Sequence, residues 1–62
     1  MFTFEISVNG GWSEIPEQIF YDSLYRHANK LTPLIRRMLN NEIITFGGTR
    51  YRIVVVKDVK NA

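Results

Sequence analysis

The chain has 62 residues, a net charge of +2 and no cysteine. The absence of cysteine excludes a disulfide framework and a thiolate metal site. Its hydrophobic content of 45% and charged content of 23% favour a folded domain over a disordered segment. No apolar run approaches the ~20 residues that a membrane-spanning helix needs, so we expect a soluble, cytoplasmic protein whose residues 1–62 form a single domain.

Charge is distributed unevenly along the chain. The first 22 residues contain four acidic side chains and no lysine or arginine, whereas residues 23–62 contain all eight basic side chains and two acidic ones. Such asymmetry is typical of a basic surface that binds nucleic acid or an acidic protein. It is also explained by helix and strand faces that carry solubilising charge.

Residues 2–8 (FTFEISV) alternate apolar and polar side chains, which predicts a strand with one buried face. The turn sequence NGG of residues 9–11 ends this strand. We then expect Ser13 to cap a helix that begins at residues 14–16. Residues 17–29 have a helical period, with an apolar stripe on one face. The stripe consists of Phe20, Leu24, His27, Ala28 and Leu31.

Thr32 and Pro33 mark the boundary between two helices. Pro33 disfavours a helical Thr32 and removes the N–H that would bond to Asn29, so the first helix is predicted to end here. The same pair suits a helix start, with Thr32 as cap and Pro33 in the first helical position. The second helix is predicted over residues 33–40, where an Asn-Asn pair at 40–41 can adopt the left-handed conformation that ends it.

Two apolar-rich runs flank Gly47 and Gly48, which predicts a β-hairpin with a two-residue turn. The opposed pairs are Phe46 with Thr49, Ile44 with Tyr51, and Glu42 with Ile53. Opposed residues lie on the same side of a sheet. One side then contains Ile44, Phe46, Tyr51, Ile53 and Val55, and the other contains Ile43, Thr45, Arg50, Arg52, Val54 and Val56.

These elements predict an α+β fold with the order β-α-α-β-β. We expect a two-layer sandwich in which two short helices pack on one face of a three-stranded antiparallel sheet. The last strand is the longest and the most apolar. This favours a central position for it, in the strand order 1-3-2.

A single layer of helices covers one face of a sheet, so the other face is expected to expose Ile43, Val54 and Val56. Valine suits a pleated surface, and the tail after Lys57 could fold over these side chains. Alternatively, the exposed face is an interface, either between two copies of the chain or with another protein. Three aromatic residues of the kind that anchor interfaces, Trp12, Tyr21 and Tyr25, are candidates for a second contact surface or for the edge of the core.

Basic residues occur in a short helix, at Arg36 and Arg37, and in the hairpin that follows, at Arg50 and Arg52. The helix and hairpin of residues 27–53 resemble winged-helix and excisionase-type DNA-binding proteins, in which a helix enters the major groove and the wing follows the backbone. The resemblance implies contacts between basic side chains and phosphates. The candidates are Arg26, Lys30, Arg36, Arg37, Arg50, Arg52 and Lys57.

No group of side chains predicts catalysis or a metal site. His27 falls within the apolar stripe, which is typical of a packed core residue, and the glycine pair precedes a strand and lacks the lysine of a phosphate loop. We therefore expect no enzyme activity, cofactor, metal or small-molecule substrate.

The patterns favour a small regulatory or accessory protein that binds another protein, as a homodimer or at a docking site. Compact chains of this kind are common among phage and mobile-element proteins that modulate a host factor. A nucleic-acid-binding protein that uses the basic helix and hairpin is the alternative.

Overall fold

A computed structural model describes residues 1–56 of the chain. The elements of this part, in chain order, are β1 (Phe2–Ser7), β2 (Trp12–Glu14), α1 (Glu17–Tyr25), α2 (Thr32–Leu39), β3 (Ile44–Phe46) and β4 (Thr49–Val55). All neighbouring strands are antiparallel, in the order β2-β1-β4-β3. The predicted α+β class is confirmed. The three expected strands have the expected relative order, but within residues 1–56 the sheet has four strands and not three.

The additional strand, β2, lies where a helix start was predicted. The NGG turn brings the chain back along β1, so that Ser13 pairs with Ile6, and the Ile15 N–H donates to the Phe4 carbonyl at 2.9 Å. Ser13 is therefore a strand residue and not a helix cap. The helix begins later, at Glu17, after Pro16 in an extended conformation with ψ 148°.

The hairpin register around the glycine turn is confirmed. Thr49 pairs with Phe46, and Tyr51 pairs with Ile44. Gly47 and Gly48 both have positive φ, 54° and 83°, as a tight hairpin turn of this kind requires. β4 also pairs with β1 along its length, which makes it a central strand as expected.

The predicted pairing of Glu42 with Ile53 does not form, because the backbone of Glu42 bonds to the end of α2. Asn41 adopts a left-handed φ of 68°, and its N–H donates to the Met38 carbonyl at 3.1 Å, while the Glu42 N–H donates to the Arg37 carbonyl at 3.1 Å. These two bonds are a Schellman motif, which satisfies the last carbonyls of a helix. The Arg37 side chain also pairs with the Glu42 carboxylate at 3.0 Å.

The core lies between the helices and the middle of the sheet. Its buried apolar residues are Phe20, Leu24, Leu31, Met38, Ile44, Tyr51 and Ile53. Phe20 contacts Phe4 and Tyr51 with ring centroids 5.2 and 5.7 Å apart. The Tyr51 hydroxyl is 2.7 Å from Ser23 Oγ, so this buried ring keeps a hydrogen-bond partner.

Two predictions about the core are wrong. Val55 was expected beneath the helices but is 50% exposed, like its cross-strand neighbour Phe2, so the helices cover this end of the sheet only in part. His27 was expected in the core but is exposed in the turn after α1. Its imidazole stacks on the Phe46 ring with 5.0 Å between the centroids.

The Schellman motif generates a prediction about stability. Asn41→Ala removes the short polar side chain that lets asparagine adopt positive φ at low cost. We expect this substitution to lower the free energy of unfolding by about 1 kcal/mol. Asn41→Gly is the matched control, and we expect it to be at least as stable as the wild type. Urea unfolding followed by circular dichroism measures both, and equal midpoints for the alanine and glycine variants would contradict this description of the helix end.

Candidate functional site

The outer face of the sheet, defined as the face opposite the helices, carries Trp12 among charged and polar side chains. Trp12 lies half-buried beneath two guanidinium groups, with Arg52 Cζ 4.0 Å and Arg50 Cζ 5.3 Å from its ring centroid. Arg52 also donates to Glu5 Oε1 from Nε at 2.7 Å, and Arg50 donates to Ser7 Oγ at 3.3 Å. Trp12, a predicted interface residue, forms a platform for these arginines.

This platform could have been found from the sequence if β2 had been recognised. Once residues 9–11 are read as a hairpin turn, Trp12 falls opposite Ser7, and Ser7 is also opposite Arg50 on β4. The tryptophan, the arginines and Glu5 then share one face. A three-residue strand has too little periodicity to give that signal by itself.

Exposed apolar side chains concentrate at one end of the sheet. We call this surface the apolar end and define it by six residues with exposed fractions between 41% and 82%: Met1, Phe2, Leu39, Ile43, Val55 and Val56. The members are close together, since Phe2 and Val55 are cross-strand neighbours and the Val56 N–H donates to the Met1 carbonyl at 2.9 Å. Of the predicted interface residues, Ile43 and Val56 belong to this surface, and the half-buried Val54 adjoins it.

A cavity of about 170 Å³ opens between the two helices beside the apolar end. α1 packs over β1 and α2 packs over β4, so that Phe4 and Ile53 form part of the cavity wall. Phe2 and Leu39, two members of the apolar end, also line it. The apolar end is therefore continuous with an indentation that reaches the core.

The predicted interface residue Tyr21 forms another wall of this cavity. Its ring is edge-on to Phe4, with 5.7 Å between the centroids, and its hydroxyl donates to Glu17 Oε2 at 2.9 Å. Burial raises the pKa of Tyr21, and the hydrogen bond to Glu17 and the negative charge of Glu17 raise it further.

A second groove, of about 240 Å³, lies between residues 41–43 and residues 52–55. It exists because the Schellman motif bonds Glu42 to the end of α2, so that the pairing of β3 with β4 stops at Ile44 and Tyr51. The N–H of Val56 bonds toward β1, and backbone groups alternate in direction along a strand. Ile53 and Val55 therefore direct their N–H and C=O groups into the groove, where no backbone group within residues 1–56 bonds to them.

The basic residues do not form one surface. Arg36 and Arg37 lie on the solvent side of α2, whereas Arg50 and Arg52 lie on the outer face of the sheet and are engaged with Trp12. A helix and wing that contact one DNA groove together would need all four on the same side. Lys57 is outside the described residues.

Lys30 and Tyr25 lie near the start of α2, where they line a basic cleft together with Arg36 and Arg37. Tyr25 is 58% exposed and lies one turn after Tyr21 on α1, but the two rings line different cavities. Trp12 lies apart from both, on the outer face of the sheet.

Among residues 1–56, no three histidine, aspartate or glutamate side chains converge as in a metal site. No helix in this part of the chain has the length and apolar character needed to cross a membrane. Protein-family models, curated proteins and solved structures include no match to this chain.

The Trp12 platform generates a prediction. Arg52→Met removes the guanidinium from the ring and leaves Glu5 without its partner, so we expect the free energy of unfolding to fall by about 1–2 kcal/mol. Arg36→Met, which removes the same charge from an exposed position on α2, is the control. Urea unfolding followed by Trp12 fluorescence distinguishes them, and an equal effect of the two substitutions would show that the platform does not stabilise the fold.

The environment of Tyr21 generates a second prediction. Glu17→Gln removes the negative charge beside the hydroxyl, so we expect the pKa of Tyr21 to fall toward its ordinary value while the effect of burial remains. A pH titration of the Tyr21 ring-proton NMR shifts in the wild type and in the variant measures this. An unchanged Tyr21 pKa would mean that Glu17 does not contact the hydroxyl in solution.

Proposed function

We propose that the protein is a small non-enzymatic regulatory or accessory module that binds another protein, and that this protein is a second copy of the same chain. The observation that carries the proposal is the apolar end. Six large apolar side chains there are 41–82% exposed, and they adjoin both an apolar cavity and a groove. Contiguous apolar surfaces of this kind are typical of protein interfaces.

The magnitudes support association. Full burial of one large apolar side chain contributes about 1.5–3 kcal/mol, and the core of a domain this small supplies only about 3–5 kcal/mol of net stability. Covering even two or three members of the apolar end therefore changes the free energy of unfolding by an amount comparable to this net stability. A partner that covers this surface stabilises the fold as it binds.

The free edge of β4 supports a second copy as the partner. Ile53 and Val55 each offer one N–H and one C=O to the groove, and the groups of Ile53, which is only 4% exposed, have little access to water. Polar backbone groups in such a position favour an added strand that pairs with them. An antiparallel copy of β4 presents the same alternation of donors and acceptors, and a two-fold axis satisfies both edges at once.

The proposed interface differs from the one expected from the sequence. Ile43, Val54 and Val56 remain within or beside it, but its centre moves from the outer face of the sheet to its end. Phe2, Leu39 and Val55 join it because each is between 41% and 51% exposed. The outer face around Trp12 is left out, since Arg52 is already paired with Glu5 there and Arg50 bonds to Ser7.

The proposal predicts the behaviour of a double variant, Val55→Lys with Val56→Lys. Burying two ammonium groups in an apolar interface is strongly unfavourable, so we expect a monomer at concentrations where the wild-type chain forms a dimer. Sedimentation equilibrium over a concentration series measures the association, and circular dichroism shows whether the fold is kept.

Val8→Lys is the matched control, because Val8 is also an exposed valine but follows the opposite end of β1. We expect it to dimerise like the wild type. A wild-type chain that stays monomeric throughout the series, or a Val55/Val56 double variant that dimerises with unchanged affinity, would overturn the proposal.

A further inference from the structure

A cleft with a volume of about 690 Å³ lies where the chain passes from α1 to α2. Six of the residues that line it carry polar or charged side chains: Tyr25, Asn29, Lys30, Thr32, Arg36 and Arg37. We call this surface the basic cleft. Leu39, a member of the apolar end, does not line the basic cleft, although it is only two residues from Arg37.

The positive charge of the basic cleft is not neutralised within the part of the chain that the structure describes. No carboxylate lines the cleft. Arg37 pairs with Glu42 at 3.0 Å, but Lys30 and Arg36 have no ion-pair partner among residues 1–56. Two like charges facing one concavity repel each other and attract an anion, and the low-dielectric walls of a cleft strengthen that attraction.

The backbone of α2 adds to this potential. The helix starts in the cleft, at Thr32, and no side chain caps it. The N–H groups of Thr32 and Leu34 in its first turn and the positive end of its dipole therefore reinforce the charge of Lys30, while Pro33 between them has no N–H to offer. Phosphate is the anion that such a combination of lysine, arginine and helix start suits best.

Tyr25 gives the basic cleft a second chemical character. Its ring is 58% exposed, and it forms no aromatic pair with the rings of residues 1–56. An exposed aromatic ring beside cationic side chains is the arrangement that binds single-stranded nucleic acid, in which the base stacks and the phosphates are neutralised. The volume of the cleft also suits a nucleotide, since ligand sites commonly measure about 300–1,000 Å³.

We propose that the basic cleft binds a nucleotide unit, with the phosphate at Lys30 and Arg36 and the base stacked on Tyr25. The unit belongs to single-stranded nucleic acid or to a free nucleotide, which share this chemistry. A duplex keeps its bases stacked inside and offers Tyr25 no base face. Arg50 and Arg52, which lie on the other side of the molecule, take no part.

The test measures fluorescence anisotropy of a labelled oligothymidylate with the full chain at low and moderate salt. We expect binding that weakens as salt rises, and a loss of about tenfold in affinity for Arg36→Gln, as for a charged hydrogen bond. Arg50→Gln is the control, because it removes the same charge from the opposite face. We expect less than a twofold change in affinity, since dissolved ions screen a charge at that distance from the cleft.

Tyr25 separates stacking from simple charge attraction. Tyr25→Ala is expected to weaken binding about tenfold, and Tyr25→Phe to retain it, because stacking needs the ring and not the hydroxyl. Tyr25 and Arg36 are both exposed, and circular dichroism checks that each variant folds. Equal losses for Arg36→Gln and Arg50→Gln, or no effect of Tyr25→Ala, would overturn the site.

Three competitors identify the source of the ligand. Unlabelled oligothymidylate that competes better than thymidine monophosphate assigns the site to nucleic acid, and equal competition per nucleotide assigns it to a free nucleotide. Polyglutamate that competes as well as the oligonucleotide would show an acidic-peptide site and overturn the proposal, as would an absence of binding at low salt. These outcomes are independent of dimerisation, because the Val55/Val56 double variant leaves the basic cleft unchanged.

Discussion

The length of the helices relative to the strands is the constraint on which the rest of this structure depends. α1 and α2 have nine and eight residues, so each is about 12–14 Å long at the α-helical rise per residue. β1 and β4 have six and seven residues and are about 20–23 Å long. Two helices of this length cover the middle of the sheet and leave Phe2 and Val55 about half exposed. A chain of this size has no further element in its first 56 residues to cover them.

The distribution of charge follows from the same architecture. The outer face has no helical layer, so its side chains must satisfy one another, and Glu5 and Trp12 together hold Arg52. On the helical side, the loop between α1 and α2 brings Lys30 and Arg36 together without an acidic neighbour. Among residues 23–56, Arg52 is thus neutralised by Glu5 on the outer face, whereas Lys30 and Arg36 in the cleft have no ion-pair partner.

Local rules predicted much of the fold. The alternation of residues 2–8, the proline at the start of α2 and the glycine turn of the hairpin each act over a few residues, and each gave the correct element. The failures arose where two local preferences compete. The segment of residues 12–14 can cap a helix or pair with β1, and pairing prevails because the preceding turn has already aligned the strands. Glu42 can extend a strand or close a helix, and the Schellman motif prevails. The position of the apolar end could not be read from a pattern, because it depends on how far two helices extend over a sheet.

The central claim, that the uncovered end of the sheet is covered by a second copy of the chain, is tested most directly by contacts between copies in solution. Isotope-labelled and unlabelled protein are mixed at high concentration, and a filtered NOE spectrum records only the proton contacts between one copy and another. The account predicts such contacts from the Val55 and Val56 methyl groups and the Phe2 ring. A spectrum with no contacts between copies, or with contacts confined to the solvent side of the helices, would contradict it.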